Sequence, residues 1–303
     1  MLRSALLKLS ANKKFGAWVT SNPAPRRMAR RFVAGETLEE AIAAARRCND
    51  AGMAASLDYL GENVASTSDA QRSRDAYLDI FEAIAQEKLN ANVSCKLTQL
   101  GLDINAEFCA GLVLSIVERA AGFDNFLRID MESSAYTQRT IDLVKFVRSR
   151  NPAVGTVIQS YLYRSEKDVR DLLAGGCRIR LCKGAYKEPE DVAFPRKADV
   201  DANYVRLMQM LLSSGFYHAI ATHDPHMIAA TIRYAGSKGI SKDDFEFQML
   251  YGVRTDLQRQ LVKDGYRVRI YIPFGNDWFP YFMRRLAERP ANVGFILRNF
   301  FRS

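Results

Sequence analysis

The sequence predicts an α/β chain folded as a (βα)8 TIM barrel, and three observations carry that expectation. Eight short, mainly apolar runs recur with helical patterns between them: 53–60, 92–97, 126–131, 155–161, 178–183, 218–223, 244–250 and 267–273. Repeated strand–helix units over about 250 residues are the pattern of a closed parallel barrel. Each run also ends in a polar residue: Asp58, Lys96, Asp130, Gln159, Arg180 with Lys183, His223, Gln248 and Tyr271. In a barrel these ends converge on one mouth, whereas a doubly wound open sheet, the alternative, spreads them along an edge. Finally, no GxGxxG follows a strand and no GxxxxGK[ST] occurs, so neither familiar nucleotide site of an open sheet is present.

The connecting helices are expected over 69–88, 106–121, 137–150, 166–173, 201–213, 225–236 and 255–264. Gly122, Asn151-Pro152, Gly175-Gly176 and Gly215 fall where a helix must return to a strand. Upstream, Thr37 reads as a helix cap with Glu39 and Glu40 in the first turn and an alanine-rich run behind them. After the eighth run the chain turns through Pro273 and Gly275 into a final helix, opened by Asp277, that lies across or beside the mouth. The expected organisation is a basic helical arm over 1–50 and the barrel over 51–303.

With 48% hydrophobic and 25% charged residues among 303, the chain has ample material for a core, and no apolar run approaches the length of a membrane span. The net charge of +9 is concentrated at one end: residues 1–35 hold eight basic side chains and no acid, leaving 35 basic against 34 acidic elsewhere. That arm reads as a helix packed on the body, a segment lying on an anionic membrane, or a transit-like peptide; nucleic acid is not expected, for want of a recognition module. The five cysteines, Cys48, Cys95, Cys109, Cys177 and Cys182, form no CxxC pair and read as reduced, mostly buried thiols. Cys182 in particular reads as buried filler on the strand face opposite Lys183.

The mouth residues permit several chemistries. Lys96 at a strand end is either a Schiff-base lysine or a fixed cation. Asp130 is an acid/base group or an ion-pair partner. His218 and His223 are an odd five residues apart, so alternation puts them on opposite faces and metal ligation is not expected. The loop 187–200 is an ordinary solvated excursion or a mobile lid. On the final helix, Arg284 and Arg285 stand four and three residues before Glu288. Two guanidinium forks braced by a carboxylate suit bidentate capture of a planar anion; a solvated, ion-paired helix is the other reading. If the helix crosses the mouth, both arginines meet Lys96, and Tyr186, Tyr251, Tyr271, Trp278 and Tyr281 rim the same place. The ligand inferred is a small carboxylate with an apolar body.

Six stretches then resemble the proline dehydrogenase family: CKLTQLGLD (95–103), RIDME (128–132), RIRLCKGAY (178–186), ATHD (221–224), FEFQMLYG (245–252) and RRLAERPAN (284–292). The resemblance implies a distorted (βα)8 barrel that binds FAD without a Rossmann motif. It implies oxidation of L-proline to 1-pyrroline-5-carboxylate by hydride transfer to flavin N5, with reoxidation by a membrane quinone. A cytoplasmic location, peripheral on the inner face of the cytoplasmic membrane, and a downstream pyrroline-5-carboxylate dehydrogenase belong to the same expectation. By position, Asp130 and Arg180 match the catalytically important residues. Lys96, Arg284 and Arg285 match the carboxylate site, Tyr271, Tyr281 and Leu250 its walls, and Glu288 the bracing acid. Met131, Gln159, Arg180, Lys183, Gly184, Ala185, Tyr186, Thr222 and His223 match flavin contacts. A bulky Tyr271 implies proline over hydroxyproline, since hydroxyproline-oxidising relatives have a smaller residue there. Asp224 departs from the asparagine of many relatives.

Overall fold

A computed structural model describes residues 12–288, and in it eight parallel strands close into a barrel in sequence order, each paired with the next and β8 with β1. They are β1 Ala54–Tyr59, β2 Ala91–Cys95, β3 Leu127–Ile129, β4 Val154–Gln159, β5 Arg178–Cys182, β6 His218–Ala221, β7 Phe245–Leu250 and β8 Arg267–Phe274. The helices are α1 Lys13–Ser21, α2 Pro23–Ala29, α3 Leu38–Asp50, α4 Thr67–Gln86, α5 Ala106–Gly122, α6 Ser134–Arg148, α7 Ser165–Ala174, α8 Lys197–Leu212, α9 Pro225–Lys238, α10 Thr255–Lys263 and α11 Trp278–Glu288. All eight strands lie where the apolar runs predict them. Helix α8 starts four residues before the expected 201.

Alternation within each strand sorts the interior from the shell. Leu57, Val93, Leu127, Ile129, Ile179, Leu181, Phe247 and Ile270 are buried in one core with the inner faces of the helices. Their neighbours point into the barrel, and these are largely polar: Ser56 and Asp58, Ser94, Arg128, Arg180, Glu246 and Gln248 are all buried. Cross-barrel bonds hold this interior. Low in the barrel, Glu246 accepts from Arg269 Nε at 2.9 and 3.0 Å and from Tyr217 at 2.9 Å. Arg128 donates to the carbonyls of Thr156 at 2.9 Å and Arg178 at 2.5 Å. The Arg128 and Arg178 guanidinium groups both lie against the Phe126 ring, 4.8 and 4.5 Å from its centroid.

Thr37 is the cap predicted, in a full capping box: its Oγ1 accepts from Glu40 N–H while the Glu40 carboxylate accepts from Thr37 N–H. Helices α1 and α2 pack by their apolar side on α11, with Val19, Ala29, Phe32 and Val33 joining Trp278, Phe279 and Phe282 in a second cluster. Their outer side leaves Arg26, Arg27 and Arg30 exposed. The backbone pins this layer to the end of β8, since Ala34 N–H donates to Pro273 O at 2.9 Å and Gly275 N–H to Gly35 O at 3.0 Å. Gly275, at φ +118°, makes the turn that sends α11 across the mouth. Residues 1–11, with the basic Arg3 and Lys8, lie outside the described residues. Among the described residues no helix is long and apolar enough to cross a membrane.

The loop 187–200 is fastened. Phe194 N–H donates to Tyr161 O at 2.8 Å, Tyr163 N–H to Val192 O at 3.1 Å, and the Glu188 carboxylate accepts from Ser134 N–H at 2.8 Å.

His218 sets a pH dependence of stability. It is buried, its Nδ1 accepts from Ile179 N–H at 3.0 Å, and Nε2 meets Ser214 Oγ at 2.9 Å. Burial, then the nearby Arg128 charge, push its pKa down to about 3. The unfolded chain takes up this proton near pH 6.5 and the folded chain does not. Stability is therefore complete above that pH and falls as pH drops towards 3, by up to about 1.4 kcal/mol per unit. Urea melts at pH 7 and pH 5 should show the loss, and His218→Gln should reduce it. An equal loss in the variant would assign it to other groups.

Candidate active site

At the carboxyl end of the barrel lies a cavity of about 570 Å3. Of the residues that the sequence places at the mouth, all line it except Asp58, Tyr251 and Trp278, and Glu288, whose side chain lies outside the described ones. The final helix thus brings Arg284 and Arg285 over the same space as Lys96. Val157, Cys182, Ala221, Asp224, Gln248 and Met249 complete the wall.

Most of the cations prove to have partners that the sequence does not pair. Lys96 Nζ lies 3.2 Å from both oxygens of Asp58, a carboxylate with no exposed surface. Burial alone would pull Lys96 down; Asp58, Glu62 and Asp130 together more than reverse it and hold it above the usual lysine range. A lysine kept protonated is a poor nucleophile, so the geometry favours the fixed cation over the Schiff base. Arg284 Nη2 donates to Glu62 Oε1 at 2.8 Å, so the acid bracing this arginine comes from the loop after β1. Burial opposes the Arg284 charge and Glu62 sustains it. The Arg285 guanidinium lies 5.0 Å from the Tyr281 ring centroid.

A second network runs below. Arg180 Nη1 donates to Asp130 Oδ1 at 2.7 Å, the Tyr271 hydroxyl donates to Asp130 Oδ2 at 2.8 Å, and Arg180 Nη2 reaches Ser94 at 2.9 Å. Asp130 therefore has both oxygens occupied. Ser56 and Ser94, joined at 3.0 Å, support the guanidinium from β1 and β2. The register explains the meeting, since Asp58 pairs with Ser94 and Ser56 with Tyr271 across adjacent strands.

On the far side, Lys183 is held between Asp201 at 2.5 Å and Asp224 at 2.7 Å, with Lys197 closing the group. Asp224 also caps α9 by accepting from His226 N–H at 2.9 Å. The departure from asparagine thus places a charge against Lys183. His223 Nε2 accepts from Leu250 N–H at 2.9 Å, which commits that nitrogen. Among the described residues no group of three or more His, Cys, Asp or Glu is arranged to hold a metal.

Two residues of the wall carry a buried amide oxygen without a hydrogen-bond partner among the described residues: Gln159 Oε1 and Gln248 Oε1. The orientation of Gln248 is dictated from below, because its amide N–H donates to Glu246 and so commits the nitrogen there. Cys182 is a correction. It is half-buried and lines the cavity, where a buried filler was expected. It stands two residues from Arg180 and so shares its inward face, while Lys183 reaches the cavity because the strand has ended and Gly184, at φ +123°, turns the chain.

Known proteins share both sequence and fold. The family profile described as proline dehydrogenase matches residues 41–298. Proline dehydrogenase 1 of Bacillus subtilis is 42% identical over 298 residues, 98% of each chain. Proline dehydrogenase of Deinococcus radiodurans is 43% identical over 277 residues, 89% of each. The structure of proline utilization A from Bdellovibrio bacteriovorus superposes with a TM-score of 0.81 at 25% identity, covering 93% of this chain and 37% of that one. The chain belongs to the proline dehydrogenase family.

Proposed function

We propose that this chain oxidises L-proline to 1-pyrroline-5-carboxylate with FAD as hydride acceptor and a membrane quinone as electron sink, the first step of proline catabolism to glutamate. One observation carries the reading: Lys96, Arg284 and Arg285 share a cavity with Leu250, Tyr271 and Tyr281. That mixture of cations and apolar or phenolic walls matches a small carboxylate on an apolar ring.

The residues present also fit a flavin. A cavity of about 570 Å3 has the size of sites that enclose cofactor-like ligands. The unpartnered oxygens of Gln159 and Gln248 call for an N–H donor, which a flavin pyrimidine ring has. Met131, Gln159, Arg180, Lys183, Gly184, Ala185, Tyr186, Thr222 and His223 would hold it. When bound, the flavin supplies the oxidising power, accepting a hydride at N5 from the ring carbon next to nitrogen.

The protein's own part is orientation and charge. Lys96, Arg284 and Arg285 fix the substrate carboxylate and so aim one ring carbon. The buried ring of Tyr281, with the half-buried Tyr271 and Leu250, excludes water from the substrate ring. Asp130, bonded through one oxygen to Arg180 and through the other to Tyr271, aligns both. The exposed arginines of α2 support contact with the inner face of the cytoplasmic membrane, where a quinone would be reached. The product would pass to a downstream dehydrogenase.

The test is a visible absorption spectrum of the purified protein before and after anaerobic L-proline. A flavin spectrum that bleaches with L-proline and not with trans-4-hydroxy-L-proline is expected. Bleaching by both would remove Tyr271 as the selecting wall. Absence of flavin after reconstitution with FAD would overturn the reading.

A further inference from the structure

The carboxylate beneath Lys96 has no part in the reading above, although its role rests on that reading. Asp58 does not line the cavity; it stands level with Ser94, two residues deeper than Lys96, with its side chain fully buried. Lys96 extends above it and does line the cavity. Several charged and titratable groups face this lysine. From the loop after β1 comes Glu62, from the end of β3 Asp130 and Glu132, and from beyond β5 Tyr186, while Arg284 of α11 lines the same cavity. The other acids are engaged elsewhere: Glu62 by Arg284 at 2.8 Å, Asp130 by Arg180 and Tyr271, and Glu132 by Thr98 N–H at 3.1 Å and Oγ1 at 2.7 Å. Among the described residues, Asp58 is the only acid in hydrogen-bond contact with Lys96 Nζ.

We propose that Asp58 is a positioning residue that keeps Lys96 a permanent cation aimed into the cavity, so that capture of the substrate carboxylate does not depend on pH. A buried ammonium without its counter-charge gives up its proton readily, because desolvation penalises the charged form. Desolvation is the largest single influence on both partners: it pulls Lys96 down and pushes Asp58 up, and in each case the other's charge is the largest influence that opposes it. With the carboxylate gone, Lys96 becomes an ordinary buried lysine that titrates below its solution range. Anion binding then weakens as pH rises.

The experiment uses the full-length flavin-loaded protein and tetrahydrofuran-2-carboxylate, which keeps the ring and carboxylate but has no amine to titrate. Its Kd is read from the flavin difference spectrum at pH 6 and pH 9. Wild type should change by less than about threefold, whereas Asp58→Asn should weaken by about tenfold or more, one decade for each unit of lost protonation. Asp58→Asn combined with Lys96→Arg should be flat again, since a guanidinium stays charged. Asp58→Ser carries the same expectation should the asparagine variant not fold. A second readout needs no ligand. A lysine lowered in the folded state adds stability as pH rises, so the Tm deficit of Asp58→Asn against wild type should narrow from pH 6 to pH 9. A pH-flat Kd and a constant deficit would overturn the proposal. A wild-type flavin that ignores the ligand would instead refute the carboxylate site, and the Tm comparison alone would then decide for or against Asp58.

Discussion

Arg284→Met is expected to lower kcat/KM for L-proline by about 10²- to 10³-fold, mostly through KM. The fork is held at 2.8 Å by Glu62, and its side chain is only 19% exposed. Truncation therefore removes the proposed charge-assisted contact to the substrate carboxylate and also leaves Glu62 without its cation. Breaking a buried pair in this way costs about 3–5 kcal/mol in full, of which part-exposure here returns some. Because the carboxylate is held in both ground and transition states, the loss appears mainly in binding. Glu62→Gln should be milder, about tenfold or less, since the guanidinium and its reach survive. Steady-state rates with an artificial electron acceptor measure both. A KM for proline unchanged in Arg284→Met would remove this arginine from the substrate site.

Asp130→Asn is expected to act on kcat, by about 10²-fold, with a smaller change in KM. Asp130 joins β3, β5 and β8 through Arg180 and Tyr271, and the Arg180 guanidinium also lies 5.3 Å from the Tyr271 ring centroid. An amide keeps the shape but loses the charge that balances Arg180, and its N–H2 cannot accept from both donors. Arg180 and Tyr271 then lose alignment with the reacting ring, an error to which an oriented reaction is sensitive. Stopped-flow reduction of the flavin by proline gives the rate free of turnover. Reduction at the wild-type rate would show that the network serves stability and not the reaction. Tyr271→Phe, which keeps the ring over Arg180 and removes the bond to Asp130, separates the hydroxyl from the wall.

Chain deletion is a poor probe of the amino-terminal arm. Its basic residues make it a natural candidate for a membrane contact, yet the apolar side of α1 and α2 covers Trp278, Phe279 and Phe282 at the root of α11. Removing it would uncover the helix that bears Arg284 and Arg285, so charge reversal at the exposed Arg27 and Arg31 is the cleaner variation, because Arg26 and Arg30 pair with Glu36 and Glu40.

The sequence alone determined the barrel and the ring of residues at its mouth. A two-residue period in the strands, caps such as Thr37 with Glu40, and turn glycines are local signals, each written within a few positions. They sufficed to place eight strands in order and to bring Lys96, Asp130, Arg180, His223 and Tyr271 to one end. Which charge answers which was decided only by the tertiary structure. Glu62 and Arg284 are 222 positions apart, and Lys183 and Asp224 are 41 apart. Asp58 meets Lys96 because of strand register, and Cys182 enters the cavity because it shares a face with Arg180. Periodicity tells on which face a side chain stands; barrel closure and loop path decide what stands opposite it. Buried charges in particular are sustained only by such distant partners, and no local pattern records them.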